Sequence, residues 1–182
     1  MEQLPNTPYR ELKGGKQIAY AVGHLGPGML SQFITTWLLL FMTGNADNPV
    51  LSGTLVGTAT LVGRIVDGVA DPMVANWSDN IRGKWMGRRL PFMLLGTLPM
   101  ILCFLMVWLT PQVAQTELAR FIWLFIFLNG VYFFYTVGGN PDFALLPEIA
   151  KDDKQRIFIQ SFVSVFGIVG MGIALGASGF LI

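Results

Sequence analysis

Residues 17–46 read QIAYAVGHLGPGMLSQFITTWLLLFMTGNA and contain no Asp, Glu, Lys or Arg. Four further uncharged runs follow along the chain, at residues 50–63, 91–116, 121–141 and 157–182. Together the five runs hold 117 of the 182 residues, so the 12 Lys and Arg and the 11 Asp and Glu all fall in the remainder. Because roughly 20 apolar helical residues cross a bilayer core of about 30 Å, these runs predict membrane-spanning helices.

We predict an all-α membrane protein built from five such helices. Residues 1–16 form a polar segment in this prediction, and residues 17–182 form the membrane bundle. The helices are expected near residues 17–43, 50–77, 91–110, 119–139 and 157–182. The last apolar run continues to Ile182 without a polar stop, so we expect a chain truncated before a sixth helix.

The basic residues predict how these helices are oriented. Ten of the 12 Lys and Arg precede the first helix or lie between the second and third or the fourth and fifth: Arg10, Lys13, Lys16, Arg82, Lys84, Arg88, Arg89, Lys151, Lys154 and Arg156. Because basic loops stay on the cytoplasmic side, residues 1–16 are predicted to be cytoplasmic. We expect a multi-pass integral protein of the plasma membrane or a bacterial inner membrane, with the lipid bilayer as a partner.

Composition and absent motifs exclude several classes of protein. The net charge of +1 provides no basic field for a nucleic acid, and the single cysteine, Cys103, excludes a disulfide scaffold. The sequence contains neither HExxH nor GxSxG and no glycine-rich nucleotide loop. We therefore predict that the protein is not an enzyme and has no cofactor.

Ionisable side chains interrupt the second predicted helix, in the run GRIVDGVADP of residues 63–72. Spacings of three and four residues place Arg64, Asp67 and Asp71 on one helical face. Each charge costs roughly 2.5 to 3.5 kcal/mol at the centre of a bilayer, so this face is expected to point toward other helices or a water-filled cavity. One guanidinium and two carboxylates leave a charge of −1, which a sodium ion, a lithium ion or a proton would neutralise.

Pro72 supports the interpretation of this run as a cation site. Proline cannot donate to the carbonyl of Gly68, and carbonyls freed in this way bind cations in transporters. A second interpretation makes Arg64 and Asp67 an ion pair that only holds helices together, with Asp71 hydrated near the cytoplasmic interface. In the first interpretation Asp67 and Asp71 hold the metal ion.

The first predicted helix offers candidate contacts for a solute. It contains the only histidine, His24, beside Gly26-Pro27-Gly28, where a break in the hydrogen-bond ladder would line a cavity. His24, Gln32 and Trp37 would supply polar and stacking groups there. The alternative is a histidine that is hydrogen-bonded between helices.

Three segments of the chain resemble one known family. They are residues 63–72 with Trp77-Ser78-Asp79 and the loop RGKWMGRRLPFMLLGT of residues 82–97; the block NPDFALLPEI of residues 140–149 with Asp153 and Arg156; and Tyr20 to Gly26. They are similar to the glycoside-pentoside-hexuronide:cation symporters, the melibiose permease group of the major facilitator superfamily. The resemblance implies two six-helix halves, with this chain supplying five helices of the first half and the C-terminal half as a missing partner. It also implies alternating-access symport of a sugar-like solute with sodium, lithium or protons.

Cation-site residues follow from the resemblance, position by position. Asp67 and Asp71 match the cation-binding acids of that family, and Arg64 matches a neighbouring arginine. Thr136 matches a hydroxyl that completes the cation site. The resemblance therefore implies a site formed by the second and fourth helices.

The solute side of the motif agrees less well with that family. Tyr135 matches an aromatic position beside the sugar, and Phe143 aligns with a stacking tryptophan. Two acids that hold sugar hydroxyls in the melibiose permease are replaced here by Gly28 and Gly139. An arginine of its fifth helix aligns near Ser164. A different glycoside, or a lipid-like solute, therefore stays open.

Three residues are predicted to act at the cytoplasmic end. The resemblance implies a latch in the closed state that includes Asp79 and Arg88. Asp142 lies between two prolines, where it would either gate the cytoplasmic end or cap a helix. A membrane channel or a structural subunit without coupled transport is the competing function.

Overall fold

The computed structural model describes residues 14–44, 49–80, 90–110, 115–150 and 152–178; within these ranges it leaves out the side chains of 78–80, 90–92, 140, 143, 144, 148, 177 and 178. This part of the chain contains helices and no strands. The helices are α1 (Gly15–Val22), α2 (Leu25–Gln32), a π-helical turn (Phe33–Trp37), α3 (Leu38–Thr43), α4 (Gly53–Asn80), α5 (Leu90–Trp108), α6 (Glu117–Ile149) and α7 (Asp153–Ser178). The prediction of an all-α protein is confirmed.

Helix length and composition fit a protein that spans a membrane. Among the described residues, three segments are long and apolar enough to cross a bilayer: Gly15–Thr43, Glu117–Gly139 and Asp153–Gly176. Met93–Trp108 forms a shorter apolar helix. Helix α4 has 28 residues and is therefore about 42 Å long. It is thus long enough to span a bilayer, although it carries Arg64, Asp67 and Asp71 in its interior.

The first segment bends earlier than the sequence analysis predicts. The break lies at Gly23 and His24, between α1 and α2, and Pro27 stands in the first turn of α2. A proline lacks an N–H and its ring clashes with the carbonyl four residues earlier, which here belongs to Gly23. At the break the N–H of His24 instead donates to the carbonyl of Ala21, 3.1 Å away. Proline therefore displaces the break by one turn toward the N-terminus.

The described residues of 1–40 and 146–182 form one compact group. In this group α2 and α7 approach so closely that a Cβ on Gly28 would collide with the carbonyl of Gly167. A Cβ on Gly170 would collide in the same way with the carbonyl of Leu25. Small residues allow such backbone contact between membrane helices.

The described residues of 41–145 form a second group, in which α4 and α6 run in the same direction. At the start of both helices, Arg120 Nη1 donates to the carbonyl of Val50 at 3.3 Å. More than a dozen residues later, Thr136 on α6 contacts Asp67 on α4. Because the residue numbers of both partners increase from the first contact to the second, the two helices are parallel.

Helix α5 runs in the opposite direction to α6. Trp123 Nε1 near the start of α6 donates to the carbonyl of Met106 near the end of α5, at 2.8 Å. Gly96, near the start of α5, packs against the backbone of Gly138 so closely that a Cβ would meet Gly138 N at 2.5 Å. Helices α4, α5 and α6 thus alternate in direction, as expected for successive membrane crossings.

The fourth predicted helix extends ten residues further than expected. Helix α6 runs to Ile149 and includes Pro141 and Asp142, whereas the sequence analysis ends this helix at residue 139. Because Asp142 lies inside a continuous helix, the alternative in which it caps a helix is wrong. The gating role of Asp142 stays a prediction.

Candidate cation site

Helix α4 carries three ionisable residues deep along its length. At a rise of about 1.5 Å per residue, Arg64 lies about 16 Å beyond Gly53, close to half the thickness of a bilayer core. Asp67 and Asp71 follow on the next two turns. The side chain of Asp67 is half-buried, and those of Arg64 and Asp71 are exposed in this chain.

Asp67 is bound to a residue on another helix. Thr136 Oγ1 donates to Asp67 Oδ1 at 2.5 Å. Thr136 is only 3% exposed, and its place on α6 fixes its hydroxyl opposite α4. The structure thus brings together the carboxylate and the hydroxyl that the sequence analysis assigns to one site.

The donor set suits a hard monovalent cation. Carboxylate, hydroxyl and carbonyl oxygens are the ligands that hard cations prefer. Pro72 lies inside α4, so the carbonyl of Gly68 has no N–H to accept four residues later, and this oxygen lies between the turns of Asp67 and Asp71. No group of three or more His, Cys, Asp and Glu side chains that would hold a metal occurs among the residues described. A cation here would therefore depend on two carboxylates and neutral oxygens.

Arg64 is engaged by an aromatic ring. Its Cζ lies 4.9 Å from the centroid of Tyr132, a cation–π distance. The contacts described for Arg64 and Asp67 do not include an ion pair between them. The ion pair that the second interpretation requires is therefore not among the described contacts, and the choice between the two interpretations stays a prediction.

Sequence reasoning missed Tyr132. From the aromatic run of residues 132–135, the family resemblance points to Tyr135. Tyr132 is 6% exposed and packs against Gly63, where a Cβ would collide with its ring. The available signal was the spacing of four residues between Tyr132 and Thr136, which places both on one face of α6.

Comparison with known proteins identifies the family. The sequence profile of the family described as MFS/sugar transport protein matches residues 19–182. The chain belongs to this family. Its resemblance to the glycoside-pentoside-hexuronide:cation symporters is thereby confirmed.

Three relatives illustrate the range of this MFS/sugar transport family. An uncharacterised symporter of Synechocystis is 32% identical over 163 residues, which are 87% of this chain and 29% of that protein. A lactose permease of Lactobacillus helveticus is 26% identical, over 86% of this chain and 26% of its own length. A sodium-dependent lysophosphatidylcholine symporter of Danio rerio is 26% identical, over 93% of this chain and 32% of its own length. The chain thus spans about a third of these relatives or less, and their names describe transporters and not enzymes.

Two further candidate residues, Tyr135 and Asp142, lie on helix α6. Tyr135 is half-buried on α6, one residue before Thr136. Asp142 is half-buried further along the same helix. The resemblance places Tyr135 beside the sugar, and this role stays a prediction.

The candidates of the first segment lie in the other compact group. His24 stands at the break between α1 and α2, and its Nδ1 lies 3.4 Å from the carbonyl of Tyr20. Gln32 Nε2 donates to Thr36 Oγ1 at 2.5 Å. Trp37 closes the π-helical turn, and its Nε1 is buried without a hydrogen-bond partner among the described residues. Their contact with a solute stays a prediction.

Three other predicted residues are beyond what the structure describes. Arg88 lies outside the described residues. Asp79 belongs to the last turn of α4 and Phe143 to α6, but the side chains of both lie outside the described part. The latch and the stacking position therefore stay predictions.

Proposed function

We propose that this chain is part of a secondary active transporter that couples the movement of a sugar-like solute to a cation. Asp67, Asp71 and Thr136 would bind the cation, with Arg64 beside them. The observation that carries this proposal is the hydrogen bond from buried Thr136 to Asp67 in a helix that has more carboxylates than cations at membrane depth. Sodium, lithium and protons are the candidate ions.

The charge balance explains why such a site would couple two movements. Without a cation, the α4 face carries one negative charge in excess, and exposing that charge to lipid is costly. A bound cation neutralises the face and connects Asp67 on α4 with Thr136 on α6 in the same site. Loading would therefore favour the conformations in which α4 and α6 pack together, and this differential stabilisation is what coupling requires.

The solute class is proposed as sugar-like for two reasons. The family is described as MFS/sugar transport protein, and one relative is named a lactose permease. Position 28 is nevertheless a glycine, so it offers no acidic side chain to bind sugar hydroxyls. Any side chain there would collide with the carbonyl of Gly167. Tyr135, His24, Gln32, Trp37 and Phe143 remain the proposed solute contacts.

A lipid-like solute is the second candidate. It is favoured by the match to a protein named as a sodium-dependent lysophosphatidylcholine symporter, which covers 93% of this chain. It also agrees with the absence of acids at Gly28 and Gly139. Both candidates use the same proposed cation site.

We also propose the membrane in which the transporter lies and its orientation there. The transporter would lie in a plasma membrane or bacterial inner membrane with residues 1–16 in the cytoplasm. Asp79, Arg88 and Asp142 would act at the cytoplasmic gate. The remainder of the transporter would form the second half of the solute pathway.

An uptake experiment tests this function. Proteoliposomes with the complete transporter that contains this chain are supplied with labelled glycosides, pentosides and lysophosphatidylcholine under sodium, lithium or proton gradients, with choline as the control cation. We expect one solute class to accumulate only with a gradient of a coupling ion. Equal uptake in choline for every solute would support a channel instead.

A further inference from the structure

Tyr132 is fixed between α4 and α6. It lies one turn before Thr136 on α6 and is 6% exposed. Its ring packs against Gly63, whose missing Cβ leaves the space that the ring occupies. The guanidinium of Arg64 lies over the same ring, with Cζ 4.9 Å from the centroid. Adjacent residues of α4 thus hold one aromatic ring.

The guanidinium of Arg64 contacts an aromatic ring, and its described contacts include no ion pair with Asp67. Arg64 and Asp67 are three residues apart on one helix, a spacing at which opposite charges ordinarily pair. Here the guanidinium of Arg64 contacts the ring of Tyr132, and the carboxylate of Asp67 accepts a hydrogen bond from Thr136. An arginine that paired with Asp67 would neutralise it and compete with a cation for the same oxygens.

We propose that Tyr132 is a positioning residue of the cation site, which holds Arg64 away from Asp67 and so sets the affinity of Asp67 for the coupling cation. This inference rests on the proposed function. It assigns the effect to the aromatic ring and not to the hydroxyl, because the hydroxyl of Tyr132 is buried without a hydrogen-bond partner among the described residues. A phenylalanine would keep the face over which Arg64 lies.

Two variants remove the contact from opposite sides. Tyr132→Leu removes the ring, and Gly63→Ala displaces it without altering the tyrosine. Each has a matched control: Tyr132→Phe restores the ring, and Gly57→Ala adds a methyl group to the same helix at a position with nothing within 4 Å. Purified transporter containing this chain is melted over a series of sodium chloride concentrations at constant ionic strength with choline chloride.

The measured quantity is the sodium concentration that gives half of the maximal thermal stabilisation. We expect Tyr132→Leu and Gly63→Ala to raise it roughly two- to fivefold, the range of a cation–π contact of an exposed arginine, and both controls to leave it at the wild-type value. In an Arg64→Gln background, Tyr132→Leu should have no further effect, since no guanidinium remains to be held. Uptake at saturating sodium is measured in parallel.

The outcomes separate this inference from the proposed function. Equal sodium dependence in all variants, or an effect of Tyr132→Phe as large as that of Tyr132→Leu, would overturn the role of the ring. A Tyr132→Leu effect that persists without Arg64 would also overturn it, since it would indicate a general packing defect. A wild type whose stability and uptake do not respond to sodium, lithium or pH would contradict the proposed function itself.

Discussion

At the scale of single residues, the proposed cation site depends on the contacts of the Asp67 carboxylate. Its carboxylate accepts a hydrogen bond from a threonine that is 3% exposed, at a depth where an unpaired charge is costly. Hydrogen bonds to charged groups contribute about 1.5 to 3 kcal/mol, so Thr136 does more than fill space. It orients the carboxylate and, in the proposed site, would offer its own oxygen to a cation.

Replacing Thr136 tests this contribution. In Thr136→Ala the sodium concentration for half-maximal uptake should rise roughly 10- to 150-fold, as expected for the loss of a bond to a charged group. Proton-driven uptake should change less, because a proton needs no hydroxyl ligand. Thr58→Ala is the control, since the Thr58 hydroxyl bonds only within its own helix, to the carbonyl of Thr54. Equal losses of sodium- and proton-driven uptake would remove Thr136 from the site.

Asp71 is tested by removing its charge. Asp71→Asn leaves Arg64 and Asp67 as a neutral set, so the cation is no longer needed for charge balance. We expect weaker sodium-coupled accumulation with solute binding retained, measured as accumulation ratio and as binding of labelled solute. Asp152→Asn changes an exposed acid ahead of α7 and serves as the control. Unchanged sodium dependence in Asp71→Asn would contradict the two-acid site.

Sequence alone could predict part of this site. Charges within an apolar helix are unusual enough to mark Arg64, Asp67 and Asp71, and the family resemblance added Thr136. Tyr132 escaped notice because aromatic residues are common in membrane helices, and its importance depends on Gly63 of another helix. Such a contact is tertiary and has no signature within a single helix.

At the scale of helices, the uncharged runs predicted where each helix lies but not how it is bent or where it ends. The break at Gly23 and His24 follows from Pro27, yet only the structure shows the π-helical turn at Phe33–Trp37. Helix α6 continues through Pro141 to Ile149 even though proline usually marks a boundary. Uncharged runs therefore locate these helices better than they set their limits.

Glycine contacts give a prediction for helix packing. Gly170→Ala would force a methyl group against the carbonyl of Leu25, whereas Gly172→Ala, two residues away on α7, meets nothing within 4 Å among the described residues. Overpacking costs about 1 to 3 kcal/mol, while alanine gains up to about 1 kcal/mol in helix propensity. In thermal melting of detergent-solubilised protein, Gly170→Ala should melt earlier than wild type and Gly172→Ala should not. Equal melting of the two variants would contradict the close approach of α2 and α7.

At the scale of the whole molecule, the alternating directions of α4, α5 and α6 agree with the charge pattern. The parallel helices α4 and α6 are followed in sequence by the basic segments of residues 82–89 and 151–156. Under the positive-inside rule these segments are predicted to be cytoplasmic. The short connection around Asp47 would then lie outside.

Cysteine labelling tests this orientation. In a Cys103→Ser background, Asp47→Cys should react with a membrane-impermeant maleimide added to intact cells, because its loop is predicted to be external. Gly87→Cys, in the basic loop, should react only after permeabilisation. The reverse pattern would overturn the proposed topology.

Solute accumulation by Asp67→Asn under an imposed sodium gradient shows whether the carboxylate on α4 couples the two movements. Wild-type and variant transporters are compared in proteoliposomes at matched protein content, with the solute identified in the uptake panel. We expect the wild type to concentrate the solute inside, whereas Asp67→Asn should only equilibrate it. Accumulation by Asp67→Asn to the wild-type level would contradict a coupling site on α4.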